Sequence, residues 1–233
     1  MPIRRLLWRL GYELEPRHVS RRHPVLEWGH GGDVDLVIDV GANAGQYADR
    51  LRRWGYNQKI LSFEPQAEAF RALEGSLRLD DFWRAHQLAL GSSSGSSLMQ
   101  VSKNSVSSSF MEASEEHRLA APGAALARQE VVAVERLDSV PDPWIQQATH
   151  AWLKIDVQGF ELEVLAGAVN TLQRCVGVEC ELSMQPMYRG GADYLDVLKV
   201  LTGAGFVLAG MQSALETDDG RWLQADAFFA RVH

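Results

Sequence analysis

Cysteine is scarce in this chain of 233 residues, which contains only Cys175 and Cys180. The two thiols have no cysteine or histidine partners at the spacing of a zinc site, and two cysteines are too few for a disulfide framework. We interpret both as buried packing residues of a protein in a reducing compartment. The expected location is therefore cytoplasmic.

Long apolar runs and an excess of basic charge are also missing. No apolar run approaches the ~20 residues of a membrane-spanning helix, and none resembles the core of a signal peptide. The formal net charge of −7 argues against a broad nucleic-acid-binding surface. A content of 46% hydrophobic and 23% charged residues is ordinary for a globular domain, and the length predicts one such domain.

The first 30 residues depart from this acidic balance. They contain six arginines and three glutamates, whereas the remainder has 17 basic and 27 acidic residues. Ile3, Leu6, Leu7 and Leu10 form an apolar stripe beside several of the arginines. We predict that residues 1–30 form a helical lid on a domain comprising residues 31–233. A weak peripheral contact with an anionic membrane is the alternative.

Two phosphate-binding motifs are absent, and a different glycine pattern is present. The chain has no G-K-S/T, and its first glycine-rich turn lacks the third glycine of G-x-G-x-x-G. Residues 34–45 read VDLVIDVGANAG, which predicts a buried strand, a glycine turn and then a helix.

The motif Asp39-x-Gly41-x-Asn43-x-Gly45 suits a ligand that carries an amine and a carboxylate but no phosphate. The glycines allow close approach of the backbone, and Asp39 or Asn43 is placed to take the amine. S-adenosylmethionine (SAM) has these groups. The alternative is a tight strand-to-helix turn without a ligand.

A second strand supports a nucleoside-containing ligand. The run KILSF at residues 59–63 is followed by Glu64 and Pro65, and Glu64 lies 19 residues after Gly45. An acid at the end of the second strand, ~20 residues beyond the glycine turn, is placed to bind ribose hydroxyls.

The rest of the chain alternates between strand and helix patterns. This order predicts an α/β fold with a doubly wound sheet. A helix is predicted around residues 112–119, and the serine-rich segment 102–110 is predicted either as part of the substrate side or as a solvated loop. Further strands are predicted at residues 86–90, 98–102, 130–137, 152–157, 175–182, 206–210 and 227–232.

Several motifs together resemble the FkbM-type SAM-dependent methyltransferases. They are VIDVGANAGQY (37–47), SFEP (62–65), ALG (89–91), RLDS (136–139), KIDVQGFELEVLAGA (154–168) and VECEL (178–182). The resemblance extends over residues 34–232. It implies a class I methyltransferase fold, a Rossmann-like doubly wound sheet of about seven strands. It also implies an O-methyltransferase that acts on a hydroxyl of a sugar, glycolipid or polyketide-type natural product.

The resemblance also implies roles for individual residues. Glu64, followed by Pro65, takes the ribose hydroxyls, and Asp156 lies beside the methyl group. Many relatives have Glu where this chain has Gln158, which weakens any expectation of a metal. The adenine is implied to lie against Ala89 and Leu90. The implied contacts of the methionine part are Asp39, Gly41, Asn43, Gly45 and Tyr47.

Transfer of a methyl group to a hydroxyl requires a proton acceptor. Asp156 and Glu179 are the predicted catalytic carboxylates, and Glu181 shares a strand face with Glu179. Asp156 alternatively binds only the amine of SAM or caps the next helix. No metal is expected, although Asp156, Glu179 and Glu181 have the chemistry of a cation site. The seven histidines are interpreted as surface or core residues.

Two other classes of function remain open at this point. A SAM-binding regulatory or scaffold protein would keep the glycine turn without turnover. A nicotinamide-dependent oxidoreductase is disfavoured by the missing third glycine and by the absence of a matching Tyr-x-x-x-Lys pair. The expected partner is a small-molecule or glycolipid acceptor and no nucleic acid. The sequence does not indicate an oligomeric state.

Overall fold

The structure is a computed structural model that describes most of the chain from His23 onward. The described residues are 23–27, 34–78, 80–102, 108–111, 114, 126–185, 187–191, 193–217 and 219–232. The predicted lid therefore lies outside the described residues, except for His23 and a short helix, α1 (Pro24–Glu27), whose Val25 is buried. Most of the predicted helix at 112–119 and part of the serine-rich segment also lie outside them.

A seven-stranded sheet forms the centre of the domain. Its strands are β1 (Leu36–Val40), β2 (Lys59–Phe63), β3 (Trp83–His86), β7 (Ala151–Ile155), β8 (Cys175–Ser183), β9 (Phe206–Glu216) and β10 (Trp222–Arg231). They lie in the order β3-β2-β1-β7-β8-β10-β9. The first five strands in this order are parallel to one another, and β10 pairs antiparallel to both β8 and β9.

Helices connect the strands. The helices that follow α1 are α2 (Gln46–Arg53), α3 (Ala67–Leu77), α4 (Pro143–Gln147), α5 (Glu161–Gly167), α6 (Val169–Leu172) and α7 (Tyr194–Gly203). Asp142 and Asp193 cap α4 and α7, respectively, by accepting a hydrogen bond from a backbone N–H of the first turn.

A second, three-stranded sheet lies outside the main sheet, and the sequence did not predict it. Its order is β4-β6-β5, with β4 (Ala89–Leu90), β5 (Gly95–Ser102) and β6 (Leu126–Glu135). The prediction of one strand at residues 86–90 was wrong, because the chain leaves the main sheet after β3 and joins the smaller one at β4. The pattern of a strand does not specify which sheet it joins, so the local sequence could not distinguish the two arrangements.

The two faces of the main sheet are covered by separate apolar clusters. Leu36, Ile38 and Val40 of β1 pack into one cluster, and Val37 packs into the other. This alternation confirms the prediction that β1 is a strand buried on both faces. The prediction for Cys175 and Cys180 is also confirmed: both are buried, free thiols. In the described part of the chain, no helix is long and apolar enough to cross a membrane.

Candidate active site

A cavity of about 570 Å³ opens at the carboxyl ends of the parallel strands. Its wall begins at the turn after β1, continues past the ends of β2, β7 and β8, and reaches β9 and β10. This is where open α/β sheets bind their ligands, because the loops after the strands diverge there. The volume lies within the usual range for a small-molecule or cofactor site.

The turn after β1 is held against the turn after β7. Gly41 has a φ of 77°, and a Cβ atom added to it would lie 1.9 Å from the backbone oxygen of Asp156. Only glycine therefore fits at this close approach. Asn43 also has a left-handed backbone, with a φ of 50°, and lines the cavity beside Gly41. The backbone thereby forms a concave wall where the sequence predicted a ligand-binding turn.

Glu64 presents a buried carboxylate to this wall. Its Oε2 accepts a hydrogen bond from the backbone N–H of Asn43, and its Oε1 accepts one from the backbone N–H of Gln66, both at 2.8 Å. Burial raises the pKa of the Glu64 carboxyl to about 7, although the two backbone hydrogen bonds lower it. The carboxylate is thus fixed in orientation and retains lone pairs that can accept further hydrogen bonds.

Lys154 joins the glycine turn to two acids. Its Nζ lies 3.2 Å from Asp39 Oδ1 and 3.5 Å from Asp156 Oδ2, and it donates a hydrogen bond to the backbone oxygen of Gly41. Burial lowers the pKa of Lys154, but the charges of Asp39, Asp156 and Glu179 raise it further, so the net pKa is above its ordinary value. Lys154 is therefore a buried cation.

Asp39 lies behind the cavity wall. Its side chain is fully buried, and it is not among the residues that line the cavity. Asp39 contacts Lys154 and accepts a hydrogen bond from Ser62 Oγ at 3.3 Å, so it holds the cation beneath the turn. Gly45 likewise lies outside the wall, where it precedes α2 with a φ of 89°. The sequence predicted that Asp39 and Gly45 contact the ligand directly, but neither residue lines the cavity.

Glu179 projects from β8 and is held by two donors. The hydroxyl of Tyr47 donates to Glu179 Oε2 at 2.6 Å, and His23 Nε2 lies 3.1 Å from the same oxygen. Burial raises the pKa of Glu179, but His23, Tyr47 and Lys154 lower it more, so the pKa is below its ordinary value. Glu179 is therefore an ionised group that is already engaged by side chains of the protein.

A network of hydrogen bonds surrounds Gln158, in the turn between β7 and α5. Its Nε2 donates to Asp156 Oδ1 at 2.8 Å and to Glu181 Oε2 at 2.7 Å, and Tyr188 donates to its Oε1. Gln224 donates a second hydrogen bond to Glu181 Oε2, also at 2.7 Å. Burial and the charges of nearby acids raise the pKa of Glu181 well above its ordinary value.

The remaining walls of the cavity differ in character. Ala89 and Leu90 of β4 supply an apolar wall together with Met99 and Phe110. On the β9 and β10 side the wall is polar. Gln212 donates to Asp226 at 3.1 Å, and Ser213 lies beside them in the wall. The cavity thus has an apolar wall at β4 and a wall with an amide, a hydroxyl and a carboxylate at β9 and β10.

The structure brings most of the predicted site residues to one cavity. Its wall includes Gly41, Asn43, Tyr47, Glu64, Pro65, Ala89, Leu90, Asp156 and Glu179. Sequence reasoning missed His23, which precedes α1 and contacts Glu179 across the fold, and it missed the bridging role of Gln158. Among the described residues, no group of three His, Cys, Asp or Glu side chains is arranged to hold a metal ion.

Comparison with known proteins gives a family and two relatives of similar sequence. Residues 39–208 match the family described as the Methyltransferase FkbM domain. The methyltransferase sdnD of Sordaria araneosa is 28% identical over 156 residues, which cover 57% of this chain and 60% of that protein. The hexuronic acid methyltransferase AglP of Haloferax volcanii is 30% identical over 173 residues, which cover 73% of this chain and 62% of that protein. The aligned part thus spans about three fifths of each relative.

A solved structure shows the same fold. An rRNA methylase from Streptococcus thermophilus superposes with a TM-score of 0.50 and 13% sequence identity, covering 94% of this chain and 99% of that one. At this identity the likeness concerns the fold alone. The doubly wound, seven-stranded sheet predicted from the sequence is therefore the architecture of a methyltransferase of known structure.

Proposed function

Because this chain belongs to the FkbM methyltransferase family, we propose that it is a SAM-dependent O-methyltransferase acting on a hydroxyl of a sugar, glycolipid or polyketide-type natural product. The observation that carries the proposal is that Glu64 and Asp156 line the same cavity. One end of this cavity has the fixed carboxylate that a ribose needs, and the other has acids beside polar side chains.

The residues of the wall fit SAM. Glu64 accepts the ribose hydroxyls, with its carboxylate already oriented by two backbone N–H groups. Ala89 and Leu90 border the adenine, and Gly41 and Asn43 approach the methionine part through their left-handed backbone. When bound, SAM supplies an activated methyl group, so the protein has to orient the acceptor and accept its proton.

Asp156 is the group that we assign as proton acceptor. It lines the cavity at the end of β7, and its Oδ1 is held by Gln158 while its Oδ2 faces Lys154. A hydroxyl placed against this carboxylate loses its proton as the new C–O bond forms, which increases its nucleophilicity.

Glu179 has a different role in this proposal. It was predicted with Asp156 as a catalytic carboxylate, but it accepts hydrogen bonds from Tyr47 and faces His23, and its pKa is below the ordinary value. A carboxylate whose pKa is lowered is a weaker base than an ordinary one. We therefore assign Glu179 to electrostatic stabilisation beside Lys154 and to positioning of Tyr47.

The polar end of the cavity supports a hydroxylated acceptor. Gln212, Ser213 and Asp226 offer donors and acceptors of the kind that bind sugar hydroxyls. AglP is a hexuronic acid methyltransferase, which makes a sugar acceptor the first choice. A cytoplasmic location remains part of the proposal, because Cys175 and Cys180 are free thiols. Contact of residues 1–30 with an anionic membrane also remains a proposal.

The test is methyl transfer from radiolabelled SAM to a panel of hexoses, hexuronates, glycolipids and polyketide alcohols. We expect labelled product from at least one hydroxyl acceptor, and Asp156→Asn should lower the rate by roughly 10²–10⁴-fold, the usual effect of removing a general base. Binding of SAM without transfer to any acceptor would favour a regulatory protein. Binding of NADH instead of SAM would favour an oxidoreductase.

A further inference from the structure

Gln158 occupies a backbone conformation that only a few non-glycine residues adopt. Its φ is 57°, and the next residue, Gly159, has a φ of 100°. Such a conformation persists where surrounding contacts hold it, and it often occurs at functional sites. Here Ser109 Oγ donates a hydrogen bond of 2.5 Å to the backbone oxygen of Gln158. A residue outside the turn, Ser109, therefore holds its backbone in this conformation.

The side chain of Gln158 uses both of its donors within the site. The two N–H bonds of its amide go to Asp156 and Glu181, and its oxygen accepts the hydroxyl proton of Tyr188. Tyr188 is 3% exposed, and Gln158 is 8% exposed. Rotation of the amide by 180° would place its oxygen against both carboxylates and its N–H groups against Tyr188. The amide therefore has one favourable orientation.

The amide brings two acids close together beside the cavity. Asp156 and Glu181 each accept a hydrogen bond from the same nitrogen, and two ionised acids that share one donor group repel each other. The titratable groups near them are Lys154, Asp39, Glu161, Cys180, Asp226 and Tyr188. A neutral side chain with two donors and one acceptor matches this position, whereas a glutamate would supply neither donor.

We propose that Gln158 is a positioning residue for methyl transfer: its amide holds Asp156 and Glu181 beside the place of the sulfonium methyl. Each carboxylate then keeps one oxygen for other contacts, since Gln158 bonds to Asp156 Oδ1 and Glu181 Oε2 only. This inference rests on the proposed function, because it takes the sulfonium to lie at Asp156. Gln158 thus acts on the reaction through Asp156 and Glu181 and does not itself contact the reacting atoms.

The test compares the affinities for SAM and S-adenosylhomocysteine, which lacks the methyl group and the positive charge. Calorimetry with the two ligands needs no knowledge of the acceptor. Gln158→Met keeps the length of the side chain but removes its hydrogen bonds to both acids. We expect its affinity for SAM to fall roughly tenfold, the scale of one hydrogen bond to a charged group, and its affinity for S-adenosylhomocysteine to change by less than about threefold.

Gln224→Met is the matched control. It also removes one hydrogen bond of 2.7 Å to Glu181 Oε2, but Gln224 makes no described contact with Asp156. We expect its ratio of the two affinities to stay near that of the wild type. Gln158→Glu should show a loss of affinity for SAM that eases as the pH is lowered, because a protonated carboxyl regains one donor. A purely structural role would not give this pH profile.

The outcomes separate this inference from the proposed function. A wild-type protein that binds neither ligand would overturn both. If the wild type binds SAM and Gln158→Met leaves the ratio of the affinities for SAM and S-adenosylhomocysteine unchanged, only the role of Gln158 is overturned. The same holds if Gln224→Met lowers this ratio as much as Gln158→Met does. If Gln158→Met does not fold, Tyr188→Phe decides: it removes only the hydroxyl that orients the amide, and it should lower the affinity ratio in the same direction. An unchanged ratio in Tyr188→Phe would also overturn the inference.

Discussion

At the scale of single residues, the site depends on buried acids whose surroundings differ. Glu64 accepts two backbone hydrogen bonds and has a raised pKa, because burial outweighs them. Glu179 is also buried but has a lowered pKa, because His23 and Tyr47 donate to it and Lys154 is near. Residues of the same type thus provide a carboxylate that titrates near neutrality and one that stays ionised.

The raised pKa of Glu64 predicts proton release on binding of SAM. Ribose hydroxyls that donate to the carboxylate favour its ionised form and lower the pKa from about 7. Near pH 6 the free protein holds a proton on Glu64 that the complex does not, so affinity for SAM should rise with pH up to neutrality. Calorimetry in buffers of different ionisation enthalpy measures the released proton.

Glu64→Gln is the variant that tests this assignment. It should lose about 1.5–3 kcal/mol of SAM binding free energy at pH 8, the usual range for hydrogen bonds to a charged group. It should also release no proton near pH 6. Proton release that persists in Glu64→Gln would show that another group titrates, and an affinity within roughly twofold of the wild type would remove Glu64 from the ribose site.

At the scale of elements, the positions of the strands could be predicted from the sequence better than the pairing of the strands in the sheets. The buried runs at β1, β2 and β7 were predicted because they consist of apolar residues bounded by turns. The predicted strand at 86–90 joined the last residue of β3 to β4 and missed residues 83–85, since the bend after His86 leaves no strong signal. The glycine turn could be predicted because its left-handed residues, Gly41, Asn43 and Gly45, lie within five consecutive positions. The contact of His23 with Glu179 could not, because it joins positions far apart in the chain.

Helix α1 contacts the site through the residue that precedes it. The ring of His23 stacks on Trp54 with centroids 5.2 Å apart and meets Phe228 edge-on, while its Nε2 faces Glu179. We predict that His23→Phe, which keeps an aromatic ring but removes the donor, lowers the free energy of unfolding at pH 7 by about 1.5–3 kcal/mol.

The pH dependence of this loss follows from Glu179. Its pKa is lower in the folded state than in the unfolded state, so its contribution is present above the unfolded value of about 4.3 and is lost as the pH falls through the folded value. The difference between wild type and His23→Phe should therefore shrink in acid. Urea unfolding at pH 7 and at pH 3–4 measures it, and a difference that does not change with pH would show that packing alone is responsible.

At the scale of the whole molecule, the order of the strands assembles the site. Glu64 follows β2, Gly41 follows β1, Asp156 follows β7, and Glu179 projects from β8, so four neighbouring strands place them along one edge. The antiparallel strands β9 and β10 extend the wall beyond Glu181 and supply its polar end. The order of the sheet therefore separates a cofactor end from an acceptor end.

The most direct test of this account is a crystal structure of the protein with S-adenosylhomocysteine. The account predicts ribose hydroxyls within ~3 Å of the Glu64 carboxylate, the adenine against Ala89 and Leu90, and the sulfur facing Asp156. A ligand in the reverse orientation, or one bound outside the cavity between Glu64 and Asp156, would contradict it.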